Sequence, residues 1–111
     1  MLVTITLIEL KSPLKFFALS YTALGILKQL KQAKCVANKN TGIWTTHYTM
    51  SLWNSADEMR TFARSGAHLE AMKGSAKIAK EIRTLTYESN ELPEWKEAKR
   101  RLMSEGKVLK F

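Results

Sequence analysis

The order in which the chain switches between alternating and helical hydrophobic patterns constrains its fold more than any other feature. Leu2 to Glu9 alternates, with Val3, Ile5 and Leu7 on one face and Thr4, Thr6 and Ile8 on the other, as in a strand. Ser12-Pro13 then predicts a helix start, because serine caps and proline suits the first helical position. That helix is expected to run to about Lys34, with Phe16, Leu19, Ala23, Ile26, Leu27 and Leu30 as one apolar stripe and Leu14, Phe17, Tyr21 and Leu24 as a second. Cys35 to Asn38 is a short strand candidate, and Lys39-Asn40-Thr41-Gly42 reads as a turn. Ile43 to Trp53 is the strongest strand pattern, with Trp44, Tyr48, Met50 and Leu52 on one face and Thr45, His47, Thr49, Ser51 and Trp53 on the other. Ser55 and Glu58 have capping-box spacing and open a helix that Ser65-Gly66 ends. A second helix follows from about residue 67 to Lys80, then a strand from Ile82 to Glu88. A last helix to about Met103 carries the stripe Trp95, Ala98 and Leu102, and Lys107–Phe111 reads as a tail.

The resulting order, β-α-β-β-α(α)-β-α, is the α+β ferredoxin-like split βαβ pattern with an added C-terminal helix, one domain over residues 1–111. Such a sheet carries helices on one face. The threonine-rich face is therefore expected to stack against that of a second copy in a symmetric homodimer.

The single cysteine, Cys35, excludes an intramolecular disulfide and points to a reducing cytoplasm. The opening MLVTITLIEL lacks the basic start and cleavage site of a secretory signal. Two histidines and one cysteine cannot close a zinc site without carboxylates. The net charge is +8, and it is uneven: no acidic residue lies between Leu10 and Ala56, where six lysines do. Charge of this kind attracts nucleic acid or anionic lipid. No zinc-finger spacing or aromatic RNA-binding signature accompanies it, so nucleic acid is not an expected partner. The second stripe of the first helix needs a cover. The C-terminal helix, a second subunit, a ligand or a membrane surface could supply one, and packing within the protein or its oligomer is preferred. The apolar run Phe16–Leu27 is too short to span a bilayer.

The stretch SLWNSADEMRTFARSGAHLEAM, Ser51 to Met72, resembles the strand, helix and S-x-x-H segment of dimeric α+β barrel proteins. The resemblance is nearest to small proteins related to spheroidene monooxygenase, with the antibiotic biosynthesis monooxygenases more distant. It implies a homodimeric barrel, a pocket between sheet and helices in each subunit, and monooxygenase-like chemistry on a small apolar or polycyclic ligand. It also implies that His68 could hold heme iron as a proximal ligand, or act as a base without any cofactor. Trp53 and Asn54 supply residue types that cofactor-free oxygenases of this superfamily place near the reacting carbon. Trp44, Tyr48, Arg64 and Met72 would shape the ligand pocket, with Arg64 able to meet an anionic group. His68 falls in the first turn of a helix, where the dipole favours the neutral imidazole. The plainer role is a histidine that caps its helix. Two other readings stand beside the enzyme: a non-catalytic ligand- or partner-binding dimer, and a peripheral protein held to membranes by the lysine-bearing first helix.

Overall fold

The computed structural model describes residues 1–111, except for the side chain of Ala67. The elements are β1 (Leu2–Leu10), α1 (Phe16–Gln32, entered through a 3-10 turn at Pro13–Lys15), β2 (Cys35–Ile43), β3 (Thr46–Trp53), α2 (Ala56–Ala63), α3 (Gly66–Ile78), β4 (Ala79–Glu88), α4 (Trp95–Glu105) and β5 (Lys107–Lys110). They form one antiparallel sheet in the order β2-β3-β1-β4-β5. Because β3 lies between β1 and β2, and β1 lies between β3 and β4, both helical crossovers skip one strand. That is the ferredoxin-like α+β arrangement expected from the sequence.

Two local expectations are corrected. Lys39–Gly42 is not a turn. β2 continues through it, paired in register from Asn38 opposite Ser51 to Ile43 opposite Thr46. The chain reverses at Trp44-Thr45 instead, with Trp44 at φ 59°, which costs a bulky residue about 1 kcal/mol or more. Glu9 offsets part of this by accepting the hydroxyl hydrogens of Thr45 at 2.7 Å and Thr46 at 2.6 Å, which ties the hairpin end to β1. Gly42 serves close approach rather than turning: a Cβ there would sit 2.2 Å from His47 Nδ1. The C-terminal tail is also structured, since Lys107–Lys110 pairs with Glu81–Thr84 as an edge strand.

The larger correction concerns the two faces of the sheet. Val3, Ile5, Leu7, Met50 and Leu52 are buried, and they pack with Ala98 and Leu102 of α4. Tyr48, Leu85, Tyr87, Leu92 and Trp95 close the edge of this core. Arg101 lies over the Tyr87 ring at 3.7 Å, and Lys99 over Tyr48 at 4.8 Å. α4 thus covers the apolar face. α1, α2 and α3 lie over the threonine face: Thr4 Oγ1 donates to Met59 Sδ of α2 at 2.8 Å, and Trp53 packs on Phe62 of α2 with ring centroids 5.2 Å apart. The sheet carries helices on both sides, so stacking of bare threonine faces between two copies does not describe this fold. α4 is 11 residues long, and its Trp95, Ala98 and Leu102 stripe is enough to claim the more apolar surface.

Candidate ligand-binding cleft

The register places hydroxyls side by side across the middle of the sheet. Thr4 lies opposite Ser51 and Thr86, and Thr6 lies opposite Thr49 and Thr84. The Thr4 and Thr86 hydroxyls are 3.1 Å apart. The helices over this surface do not seal it. α1 has no buried residue, and Thr49 and Thr86 remain exposed. α1 runs beside α3 and meets β3 near one end, where Phe16 lies 5.6 Å from the His47 ring. The helices thus lie over the threonine face without burying all of its hydroxyls.

Trp53, Phe62 and His68 form a continuous aromatic wall at one end of this arrangement, with successive centroids 5.2 and 5.1 Å apart. Trp53 is buried, and its indole N–H donates to Ser51 Oγ at 2.9 Å, which fixes the ring over the sheet. His68 is half-buried. Its Nδ1 lies 3.0 Å from the Ala63 carbonyl oxygen. A carbonyl can only accept, so Nδ1 carries the hydrogen, and in the neutral ring Nε2 keeps a free lone pair.

Gln29 sets this geometry, and nothing in the sequence pattern pointed to it. Its side-chain amide donates to the Phe62 carbonyl at 3.1 Å and the Ser65 carbonyl at 2.8 Å, while its Oε1 accepts the His68 backbone N–H at 2.9 Å. One side chain from α1 therefore clamps the α2–α3 junction. Gly66, at φ +57°, lets the chain turn there with the Gln29 amide packed close. Only the long-range partnership of a polar residue on an otherwise ordinary helix gives Gln29 its role, which no local signal encodes.

The capping box closes on one side only. The Glu58 backbone N–H donates to Ser55 Oγ at 3.2 Å, while Glu58 Oε2 is buried with no hydrogen-bond partner among the described residues. A buried carboxylate oxygen without a donor is a costly exception to the rule that buried polar atoms are paired.

The other residues singled out from the sequence are dispersed. Asn54 is exposed in the bend after Trp53, and Arg64 is exposed at the end of α2. Met72 is largely exposed on α3. Tyr48 lies on the opposite face of the sheet, against Trp95 of α4 at 6.4 Å. Trp44 sits at the β2–β3 turn, at the far end of β3 from Trp53, and its carbonyl accepts from His47 Nε2 at 3.0 Å. The structure brings Trp53 and His68 together through Phe62, and it does not bring Trp44 or Tyr48 to them.

Two open surface grooves lie elsewhere. One of about 520 Å³ runs between the C-terminal half of α1 and β2, bordered by Leu24, Leu27, Leu30, Lys28, Lys31 and Cys35 among others. The second, about 270 Å³, lies between the β2–β3 hairpin and Lys99 of α4. Neither reaches His68. Burial pushes the Cys35 thiol above its ordinary pKa, and its S–H donates to the Ala37 and Leu52 carbonyls. The native state thus holds the thiol proton more tightly than the unfolded chain. The stability this gives is present below the unfolded thiol pKa and is lost as pH rises through the higher native one. Alkylation of Cys35 by iodoacetamide, followed by mass spectrometry, is expected to run several-fold slower than in urea-unfolded protein at pH about 8. Equal rates would contradict the burial.

Among the described residues, no cluster of three or more His, Cys, Asp or Glu side chains is placed to hold a metal ion. No helix among the described residues is long and apolar enough to cross a membrane.

The fold is that of the antibiotic biosynthesis monooxygenase-type α+β barrel proteins. A protein of Deinococcus radiodurans assigned to the antibiotic biosynthesis monooxygenases superposes with a TM-score of 0.70 at 11% identity, covering 85% of this chain and 97% of that one. A conserved protein of Methanosarcina mazei Go1 gives a TM-score of 0.71 at 12% identity, over 80% of this chain and 92% of the other. SnoaB, a cofactor-independent oxygenase from Streptomyces nogalater, gives 0.61 at 10% identity, over 84% and 96%. By sequence the chain belongs to the family described as domain of unknown function DUF3291, which matches residues 10–106. No functionally curated protein matches it.

Proposed function

We propose that this protein binds a small, flat, apolar or phenolic ligand in the cleft between the threonine face and α1–α3, and acts on it as a cofactor-free monooxygenase-like enzyme. The observation that carries the reading is the fixed tautomer of His68. Its Nδ1–H is committed to the Ala63 carbonyl, so Nε2 is the atom available to take an acidic proton from a bound ligand. Trp53 and Phe62, both buried and with their rings tilted by 36°, give the site an apolar backing, and the hydroxyls of Thr4, Ser51 and Thr86 can orient polar substituents. The cofactor-free reading also agrees in kind with SnoaB, a protein of the same fold.

Heme fits less well. Trp53, Phe62 and His68 pack against one another at tilted angles instead of flanking a slot, and neither surface groove is lined by His68. No step is assigned to it. Asn54 and Arg64, exposed near the two ends of α2, would serve at the rim rather than at the reacting atoms. Trp44, Tyr48 and Met72 are left without a part in the reaction. The working unit in this proposal is a homodimer, and the free Cys35 suits a reducing compartment such as the cytoplasm.

The test is titration with polycyclic phenols, read by tryptophan fluorescence, together with oxygen uptake. Saturable quenching that is lost in Trp53→Phe is expected. In His68→Ala, oxygen uptake is expected to fall by about 10²–10⁴-fold, the usual worth of a general base. Saturable quenching with no oxygen uptake in either protein would leave a binding module instead of an enzyme. No quenching at millimolar ligand would remove the cleft as a site.

A further inference from the structure

The exposed side of α1 is apolar in its first half and basic at both ends. Leu14, Phe17, Tyr21 and Leu24 are 77, 74, 80 and 61% exposed. The spacing of three and four residues continues through Lys28 and Lys31, so Phe17, Tyr21, Leu24, Lys28 and Lys31 follow one line along the helix, with Leu14 in the 3-10 turn just before it. Lys11 and Lys34, also exposed, stand just beyond the two ends. α4, which the sequence offered as a cover for this stripe, is occupied on the opposite face of the sheet. Four large apolar side chains in a row at this exposure are more than the scattered apolar residues of an ordinary surface.

We propose that this side of α1 rests on the surface of an anionic phospholipid bilayer. Leu14, Phe17, Tyr21 and Leu24 would enter the boundary between headgroups and acyl chains, and the lysines would reach the lipid phosphates. Charge selects this occupant. Two α1 helices packed antiparallel would set Lys28 and Lys31 of one copy against Lys11 and Lys15 of the other. Packed in parallel, they would set like against like. No carboxylate between Leu10 and Ala56 is present to relieve either arrangement. A bilayer supplies what both halves of the stripe need, an apolar interior under a negative surface. α1 is 17 residues long and does not cross the membrane, so it lies in the plane. Its lysines are long enough to keep their ammonium groups at headgroup level while the stems cover apolar surface.

The full chain should be sedimented with vesicles of phosphatidylcholine alone and of phosphatidylcholine with phosphatidylglycerol, at low and high salt. Pelleting with the anionic vesicles at low salt is expected, with weak pelleting on neutral vesicles and a marked loss at high salt. Phe17→Ser/Tyr21→Ser and Lys28→Glu/Lys31→Glu should each lower partitioning by about tenfold or more. All four side chains are exposed, so both variants should keep the parent's circular dichroism and thermal midpoint. Three results would overturn the proposal. One is no partitioning of the parent protein onto anionic vesicles. Another is equal partitioning by Phe17→Ser/Tyr21→Ser. The third is a dimer in light scattering that this same variant dissolves, which would make the stripe a subunit contact.

Discussion

Leu102→Ala is expected to destabilise the protein by about 2–5 kcal/mol, enough to bring a domain of this size close to unfolding at room temperature. Leu102 is fully buried and comes from α4, outside the βαββαβ unit, yet it packs into the same cluster as Val3, Ile5 and Leu7. Removing its isobutyl group leaves a cavity between helix and sheet that neither can easily collapse, since α4 is also anchored by Trp95 and Ala98. Urea unfolding followed by circular dichroism measures the effect. A loss below about 1 kcal/mol would mean that α4 is not part of the cooperative core. The same truncation at Leu24, which is 61% exposed on α1, should change stability by less than about 0.5 kcal/mol.

The second large effect is expected at Gln29. Gln29→Ala takes away the donor to the Phe62 and Ser65 carbonyls and the acceptor for the His68 N–H. Water can reach part of this junction, so the cost is about 1–3 kcal/mol rather than the sum of three buried bonds. The functional consequence should exceed the thermodynamic one, because the same bonds set the backbone that carries His68. Gln29→Glu separates the two. A carboxylate can still accept from the His68 N–H, but it has no N–H to give the two carbonyls. Amide hydrogen exchange across residues 62–69 should accelerate in both variants, with the His68 amide better protected in Gln29→Glu than in Gln29→Ala. Unchanged exchange in Gln29→Ala would show that the junction is held by packing alone.

The fold was readable from the sequence because its strands and helices carry clean periods. Val3, Ile5 and Leu7 alternate with Thr4 and Thr6, and Trp95, Ala98 and Leu102 repeat at helical spacing, so element type and order follow directly. What periodicity does not carry is which helix meets which face. Both faces of β1 and β3 were visible, but the choice between α4 and a second subunit depends on tertiary competition for the more apolar surface. The β2–β3 turn was misplaced for a related reason. Asn40 and Gly42 have turn chemistry, yet the ladder from Asn38 to Ile43 and the two threonine hydroxyls on Glu9 outweigh that local preference. The site was legible in part. His68 and Trp53 stand out as residue types, whereas Gln29, Phe62 and Met59 gain meaning only from partners distant in the chain.

The division of labour between the two sides of the sheet has a dynamic consequence. The apolar side, sealed by α4, contains most of what keeps the chain folded. The hydroxyl side is roofed by helices that rest on Phe16, Met59, Phe62 and one glutamine. Access and foldedness are therefore separately adjustable. Local opening of the helices on the hydroxyl side is expected to cost less than global unfolding, and amide exchange in α1–α3 should outpace that in β1 and α4.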